Sequence, residues 1–289
     1  MGPEELAAQV SHLVSLPEVC LRVEDILRDE RATAEDLAEA ILTDPGLTAR
    51  LLRMVNSAFY GLSRRVETVS HAVTLVGFEE IRCLVWASAA TEALRGLPVE
   101  GLDVDAFWRH CVFCGNAASA LLGRRNRRGR EADLVAGLLH DVGWLVLCHQ
   151  VPDRAASLLG ISGDGQGKRL IRERELFGFT HAQAGGALLR LWKLPESLWM
   201  PVEFHHEPWA APDHAERAAR LHLANATAVV HEPFAPGDAD PPGDDYPADP
   251  RALEIWEAAP AELEEAAHQA GERLLETMEI VFSGYATAY

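Results

Sequence analysis

Twelve histidines are spread over the 289 residues, and two pairs of neighbours stand out as candidate ligands: His140-Asp141 and His205-His206. Each pair sits in a stretch with helical periodicity, where adjacent residues point about 100° apart. A cation lying off the helix flank can still take one atom from each. Asp141 follows Leu138 and Leu139 and precedes Val142. An ionised carboxylate in such an apolar helix is costly unless it is paired or bound to a cation. His110 and His181, on other predicted helices, can complete a mixed nitrogen and oxygen set for Zn, Mn or Fe. The same residues also suit a metal-free polar knot, with buried histidines hydrogen-bonded to Asp141. Spacing alone leaves both arrangements open.

The elements that must position these side chains read as helices throughout, so the expected fold is all-α. Thr33 with Asp36 makes a capping box, and Asp44-Pro45 starts a helix whose apolar stripe is Leu47, Leu51, Met54 and Val55. Ser70 is expected to begin a helix that Gly77 closes, and residues 78–94 form a long, mostly buried helix. Further helices are expected over 107–122, 132–148, 170–176, 181–193, 196–206, 214–230 and 253–282. No hairpin signal and no sustained alternation of apolar and polar residues occurs. These elements group into an N-terminal helical lobe (1–100), a second helical lobe (101–231), an acidic Pro-rich linker or surface loop (232–251) and a C-terminal helical segment (252–289). The linker assignment rests on six Pro and five Asp within 232–250.

Composition narrows the function classes. The chain is 48% hydrophobic, enough for a large core, and carries a net charge of −18. So acidic a chain repels DNA, RNA and anionic membrane, which argues against a nucleic-acid or membrane partner. The run of Arg124, Arg125, Arg127, Arg128 and Arg130 opposes that trend. It reads as a solvated loop between helices, or as a docking patch for an acidic or phosphate-bearing partner. No signal peptide and no apolar run of membrane-spanning length is evident, and five scattered cysteines fit a reducing compartment. The expected location is cytoplasmic. Cys111 and Cys114 are spaced for one helix face but have no second pair, so they read as small core residues rather than as zinc or redox ligands.

Several segments, in order, resemble one family. Leu138-Leu139-His140-Asp141-Val142-Gly143 is similar to the HD superfamily signature. Asp44-Pro45-Gly46-Leu47, Asn56-Ser57-Ala58-Phe59-Tyr60-Gly61 and His71-Ala72-Val73 with Leu75-Val76-Gly77 resemble the N-terminal half of an HDOD domain. Thr180-His181-Ala182-Gln183-Ala184-Gly185, Trp192-Lys193-Leu194-Pro195 and His205-His206 resemble its C-terminal half. The resemblance spans about residues 10–230. It implies an all-helical fold and a regulatory or signalling role, usually in bacteria. Carried onto this sequence, the ligand set it implies is His110, His140, Asp141, His181, His205 and His206, with Fe, Mn or Zn as the cation.

Two positions depart from the catalytic relatives. HD-type cyclic-dinucleotide phosphodiesterases carry a Lys shortly after the HD pair, where this chain has Gly143-Trp144. HD enzymes use a late Asp as ligand, where this chain has the neutral Asn225. A centre short of one carboxylate holds divalent cations less well. The expectation is therefore a non-catalytic signal-transduction module that binds a protein partner or a small ligand, a nucleotide among the ligands considered. The alternative is a metal-dependent phosphohydrolase acting on a nucleotide or cyclic dinucleotide.

Overall fold

The computed structural model describes residues 1–14, 16–123, 128–159, 165–232 and 248–282, and among them every regular element is helical and no strand occurs. The first part of the chain forms α1 (Pro3–Leu13), α2 (Glu18–Leu27), α3 (Ala34–Leu42), α4 (Pro45–Val55), α5 (Val69–Val76) and α6 (Phe78–Arg95). The next part forms α7 (Val104–Gly123), α8 (Arg130–Leu139), α9 (Val142–Gln150), α10 (Pro152–Leu159), α11 (Gly165–Phe177), α12 (His181–Leu191) and α13 (Glu196–Phe204). A single 3-10 turn, Pro208–Ala210, precedes α14 (Ala215–His231), α15 (Pro250–Trp256) and α16 (Pro260–Val281).

The caps explain where several helices begin. Thr33 accepts from the Asp36 N–H at 3.2 Å while Asp36 accepts from the Thr33 N–H at 2.8 Å, so two backbone donors are satisfied at once. Asp44 accepts from the Leu47 N–H at 2.9 Å, with Pro45 at the first helical position. Thr180 and Gln183 repeat the reciprocal cap at the start of α12. Helix α5 starts earlier than its sequence suggested, because Thr68 rather than Ser70 supplies the cap.

Two expected helices are each broken in two. The stretch 132–148 is not continuous: α8 ends at Leu139, and Asp141 departs from helical geometry (φ −104°, ψ 7°) before α9 begins. Near the C-terminus, Glu257 turns left-handed (φ 53°) and Pro260 disfavours helix at the residue before it, separating α15 from α16. By length and composition Arg130–Gln150 matches a membrane span, contrary to the expectation that no run is long enough. It is nevertheless 89% buried within the protein and interrupted at His140-Asp141.

The chain divides into two compact units. One comprises Ser15–Arg95 and the chain from Arg273; the other comprises Met1–Val14 and Gly96–Glu272. The first packs α2 to α6 around Val23, Leu37, Ile41, Leu51 and Trp86, all buried. In the second, α7 packs along α8 and α14, and α12 lies on α13 and α9. The division differs from the lobes expected from sequence: α1 docks on α12 and α9 through Leu6, Ala7 and Val10. An amphipathic stripe shows that a helix must dock but not where, which is why this pairing was not legible. Most of the Arg-rich run (Arg124, Arg125, Arg127) and most of the Pro-rich segment (233–247) lie outside the described residues.

Candidate metal centre

The break between α8 and α9 builds the site. Asp141 takes the N-cap position of α9, where an Asp usually accepts from the helix's first N–H groups, but its carboxylate makes no cap bond. The carboxylate faces histidines from three directions instead. Asp141 Oδ1 lies 3.0 Å from His181 Nε2 and 3.7 Å from His205 Nε2, and Oδ2 lies 3.4 Å from His140 Nε2. His181 opens α12, and His205 and His206 follow the end of α13.

Each imidazole is oriented through its other nitrogen. His140 Nδ1–H donates to the Gly137 carbonyl at 2.8 Å, and His205 Nδ1–H donates to the Val202 carbonyl at 2.7 Å. His181 Nδ1–H donates to the Glu173 carboxylate at 2.8 Å. These bonds leave the Nε2 atoms of His140 and His205 directed at Asp141 with lone pairs rather than protons. His140 Nε2 and His205 Nε2 are buried and have no hydrogen-bond partner. His206 Nε2 stands 3.1 Å from His181 Nε2, so one of the two carries a proton or both face a cation.

That pattern fits a metal better than a polar knot. A knot would satisfy the buried lone pairs with donors, and unsatisfied buried polar atoms are costly. Fixing a ligating imidazole by a bond from its other ring nitrogen is the usual outer shell of a metal site. Potential ligand atoms of Asp141, His181, His205 and His206 all lie within 4.8 Å of one another, and so do those of His110, His140 and Asp141. The two groups share Asp141. All six residues singled out in the sequence are therefore brought together, five around the Asp141 carboxylate.

The electrostatics of the metal-free site follow from burial and these contacts. Burial alone would push the Asp141 carboxyl up, but the His140 and His181 rings outweigh it and hold it well below the usual range. Burial opposes a charged His181, yet the Glu173 and Asp141 carboxylates reverse this and raise it to about 10. For His205 and His206, burial and the neighbouring histidines both depress protonation well below 6.5. Burial also opposes charge on His110, but the Glu232 and Asp141 carboxylates raise it overall.

Several functional neighbours were not singled out in the sequence. Glu173 on α11 is fully buried and also accepts from the His181 backbone N–H at 2.8 Å. Its signal was present, since it falls on the apolar stripe between Leu170 and Leu176 or Phe177. Glu232 pairs with Arg109 at 2.9 Å and lies 3.4 Å from His110 Nδ1. His222 is described below. Cys111 and Cys114 are free and buried, and burial pushes both thiols well up, so neither offers a thiolate.

A family model for the HDOD domain matches residues 13–208. The chain belongs to the HDOD domain family. A candidate phosphohydrolase of known structure from Shewanella amazonensis SB2B is 26% identical, with a TM-score of 0.69 over 96% of each chain. An HDOD domain protein of unknown function from Geobacter sulfurreducens shares the fold, with 21% identity and a TM-score of 0.70 over 96% of each chain. An uncharacterized protein of Treponema pallidum (strain Nichols) is 25% identical over 224 residues, 77% of this chain and 43% of that protein. This HDOD chain thus spans less than half the length of the curated relative it matches.

Both departures from the catalytic pattern lie at this HDOD centre. The Trp144 indole stacks on the His181 ring, with centroids 5.2 Å apart and planes 22° apart, and is 3% exposed. Asn225 is buried, with its Oδ1 3.2 Å from His110 Nε2. Glu232 does not restore the missing carboxylate, because it faces the opposite ring nitrogen of His110.

Proposed function

We propose that this HDOD protein is a non-catalytic signalling module, acting through a protein partner or small ligand, whose histidine centre holds a divalent cation (Fe, Mn or Zn) for structural use. The observation that carries the reading is the space over the cluster. The cavity bounded by Asp141, Trp144, Arg169, His181, His206 and Asn225 has a volume of about 20 Å³. That is room for about one water, whereas small-molecule sites run to about 300–1,000 Å³. Trp144 lines this cavity and stacks on His181.

Asp141, His181, His205 and His206 would hold the cation, with His140 and His110 beside them. Such an ion supplies Lewis acidity and lowers the pKa of a bound water. Using that water on a phosphoester also requires a cationic group at the phosphate and room for the ester, and Trp144 stands in place of the first. In the other unit, a groove of about 1170 Å³ is lined by Arg53, Arg64, Arg65, Ser63 and Glu276. It offers a ligand or partner far more room than the buried centre does. The net charge of −18 argues against nucleic acid as that partner.

One observation favours the alternative, a metal-dependent phosphohydrolase of nucleotides or cyclic dinucleotides. The Arg169 guanidinium lies 5.6 Å from the Trp144 ring centroid at the mouth of the cavity, where it could meet a phosphate. A hydrolysis screen separates the readings. Protein loaded with Mn, Mg or Fe is incubated with cyclic dinucleotides and (p)ppGpp-like substrates, and products are followed by chromatography. The proposal expects no turnover. Metal-dependent hydrolysis that Asp141→Ala abolishes would establish the enzyme.

A further inference from the structure

His222 is a buried histidine that the cluster itself does not use, and it touches two different elements. It lies on α14 and is 7% exposed. Its Nδ1–H donates at 2.8 Å to the backbone carbonyl of His205. Its Nε2 accepts at 2.9 Å from the N–H of Asp249. One side chain therefore joins a member of the metal centre to the residue that caps α15. Both bonds need the neutral ring with its proton on Nδ1, so the donor and acceptor roles are fixed.

The far end of this link is well tied. Asp249 accepts from the Arg251 N–H at 2.9 Å and pairs with the Arg251 guanidinium at 2.8 Å. Arg251 lies over the Trp209 ring at 3.3 Å. Trp256, the last residue of α15, is covered by Arg220 at 4.4 Å, and Arg220 bonds the buried Asp133. The helix thus has few internal bonds of its own but several side-chain anchors. A helix of 7 residues is too short to hold itself in water. Its order depends on those anchors, and the Asp249 anchor runs through His222 to a histidine of the centre.

We propose that His222 is a coupling residue that links the occupancy of the histidine centre to the ordering of α15. This rests on the reading of the cluster as a metal centre. A cation on His205 Nε2 fixes the His205 ring and, through the residue's backbone, the carbonyl that orients His222. His222 then holds Asp249, whose own carbonyl accepts from Ala252 at 2.9 Å and Leu253 at 3.3 Å to start α15. Loading the centre steadies the first turn of α15, and emptying it lets that turn fray. Helix α15 is in this way an output element for the state of the centre.

Two near-isosteric variants divide the link. In His222→Asn the amide nitrogen falls where Nδ1 was, keeping the bond to His205 and losing the one to Asp249. In His222→Gln the amide oxygen reaches the Nε2 position, keeping Asp249 and losing His205. Hydrogen exchange at residues 249–256 is measured with and without Mn or Zn, and metal binding is followed by native mass spectrometry. The wild type should show metal-dependent protection of about two- to tenfold, the range of one net hydrogen bond. Neither variant should show it, although His222→Asn should bind metal nearly as the wild type does. Protection equal in all three proteins, or wild-type exchange that ignores bound metal, would overturn the coupling alone. Absence of metal binding by the wild type would overturn the metal reading and the coupling with it.

Discussion

Glu173 offers the sharpest perturbation of the centre, because it touches His181 twice and lies out of reach of any cation held by Nε2. Its carboxylate is fully buried and accepts from both the backbone N–H and the ring Nδ1–H of His181. In Glu173→Ala those two donors lose their partner. Deleting one member of a buried charged pair costs about 3–5 kcal/mol. At about 2–4 °C per kcal/mol for a body of this size, the metal-free protein should melt about 6–20 °C lower. Glu173→Gln keeps the volume and one acceptor, so its melting loss should be smaller. It removes the charge that orients the imidazole, and outer-shell changes of this kind weaken metal binding about 10–100-fold. Calorimetry of chelator-treated protein reads the first effect, and a competitive Zn titration with a chromophoric chelator reads the second. A Glu173→Ala melt within about 2 °C of wild type, a shift worth under about 1 kcal/mol, together with unchanged Zn affinity in Glu173→Gln, would refute the positioning argument.

The remaining predictions concern charge, pH and packing. Asp141→Ala should lower the melting temperature even after chelation, since it leaves the raised His181 with Glu173 as its one carboxylate partner; equal melts would assign Asp141 to metal binding only. The metal-free protein should be most stable near pH 6.5. Above that, the raised His181 and His110 hold protons that the unfolded chain has released, so stability falls as pH climbs toward about 10. Below it, the unfolded chain binds protons that buried His205, His206 and His222 refuse, and further acid protonates Asp141. A melting profile that rises steadily from pH 6.5 to pH 9 would contradict this assignment. Gly143→Ala would set a Cβ 1.8 Å from the His181 carbonyl oxygen and 2.8 Å from the Gly185 nitrogen, both backbone. It should lower stability by at least about 1–3 kcal/mol in denaturant melts, more than Gly178→Ala, where space is open and only the φ of 86° resists.

The sequence carried the helical class and the caps at Thr33, Asp44 and Thr180, and it singled out the six residues that the structure brings together at Asp141. Those features are local, because capping pairs lie three residues apart and five of the six candidate ligands sit inside recognisable motifs, His110 being the exception. Three things were hidden, each for its own reason. The break at Asp141 was masked by apolar residues on both sides, which extend a helical pattern straight through it. The docking of α1 beside α9 and α12 depends on which surface complements Leu6, Ala7 and Val10, and periodicity does not encode that. Glu232 and His222 come close to the histidines only through α14, which carries them alongside His110 and His205. Glu173 was within reach, as a carboxylate on an apolar stripe that signals a buried partner.

Anomalous diffraction from crystals grown with Mn or Zn tests the central claim most directly. The account predicts an anomalous peak enclosed by Asp141, His181, His205 and His206, at bonding distance (about 2 Å) from their ligand atoms, among them His205 Nε2, which has no hydrogen-bond partner in the metal-free centre. Metal-bearing crystals with no peak there, and with those four side chains held by hydrogen bonds to one another, would contradict it.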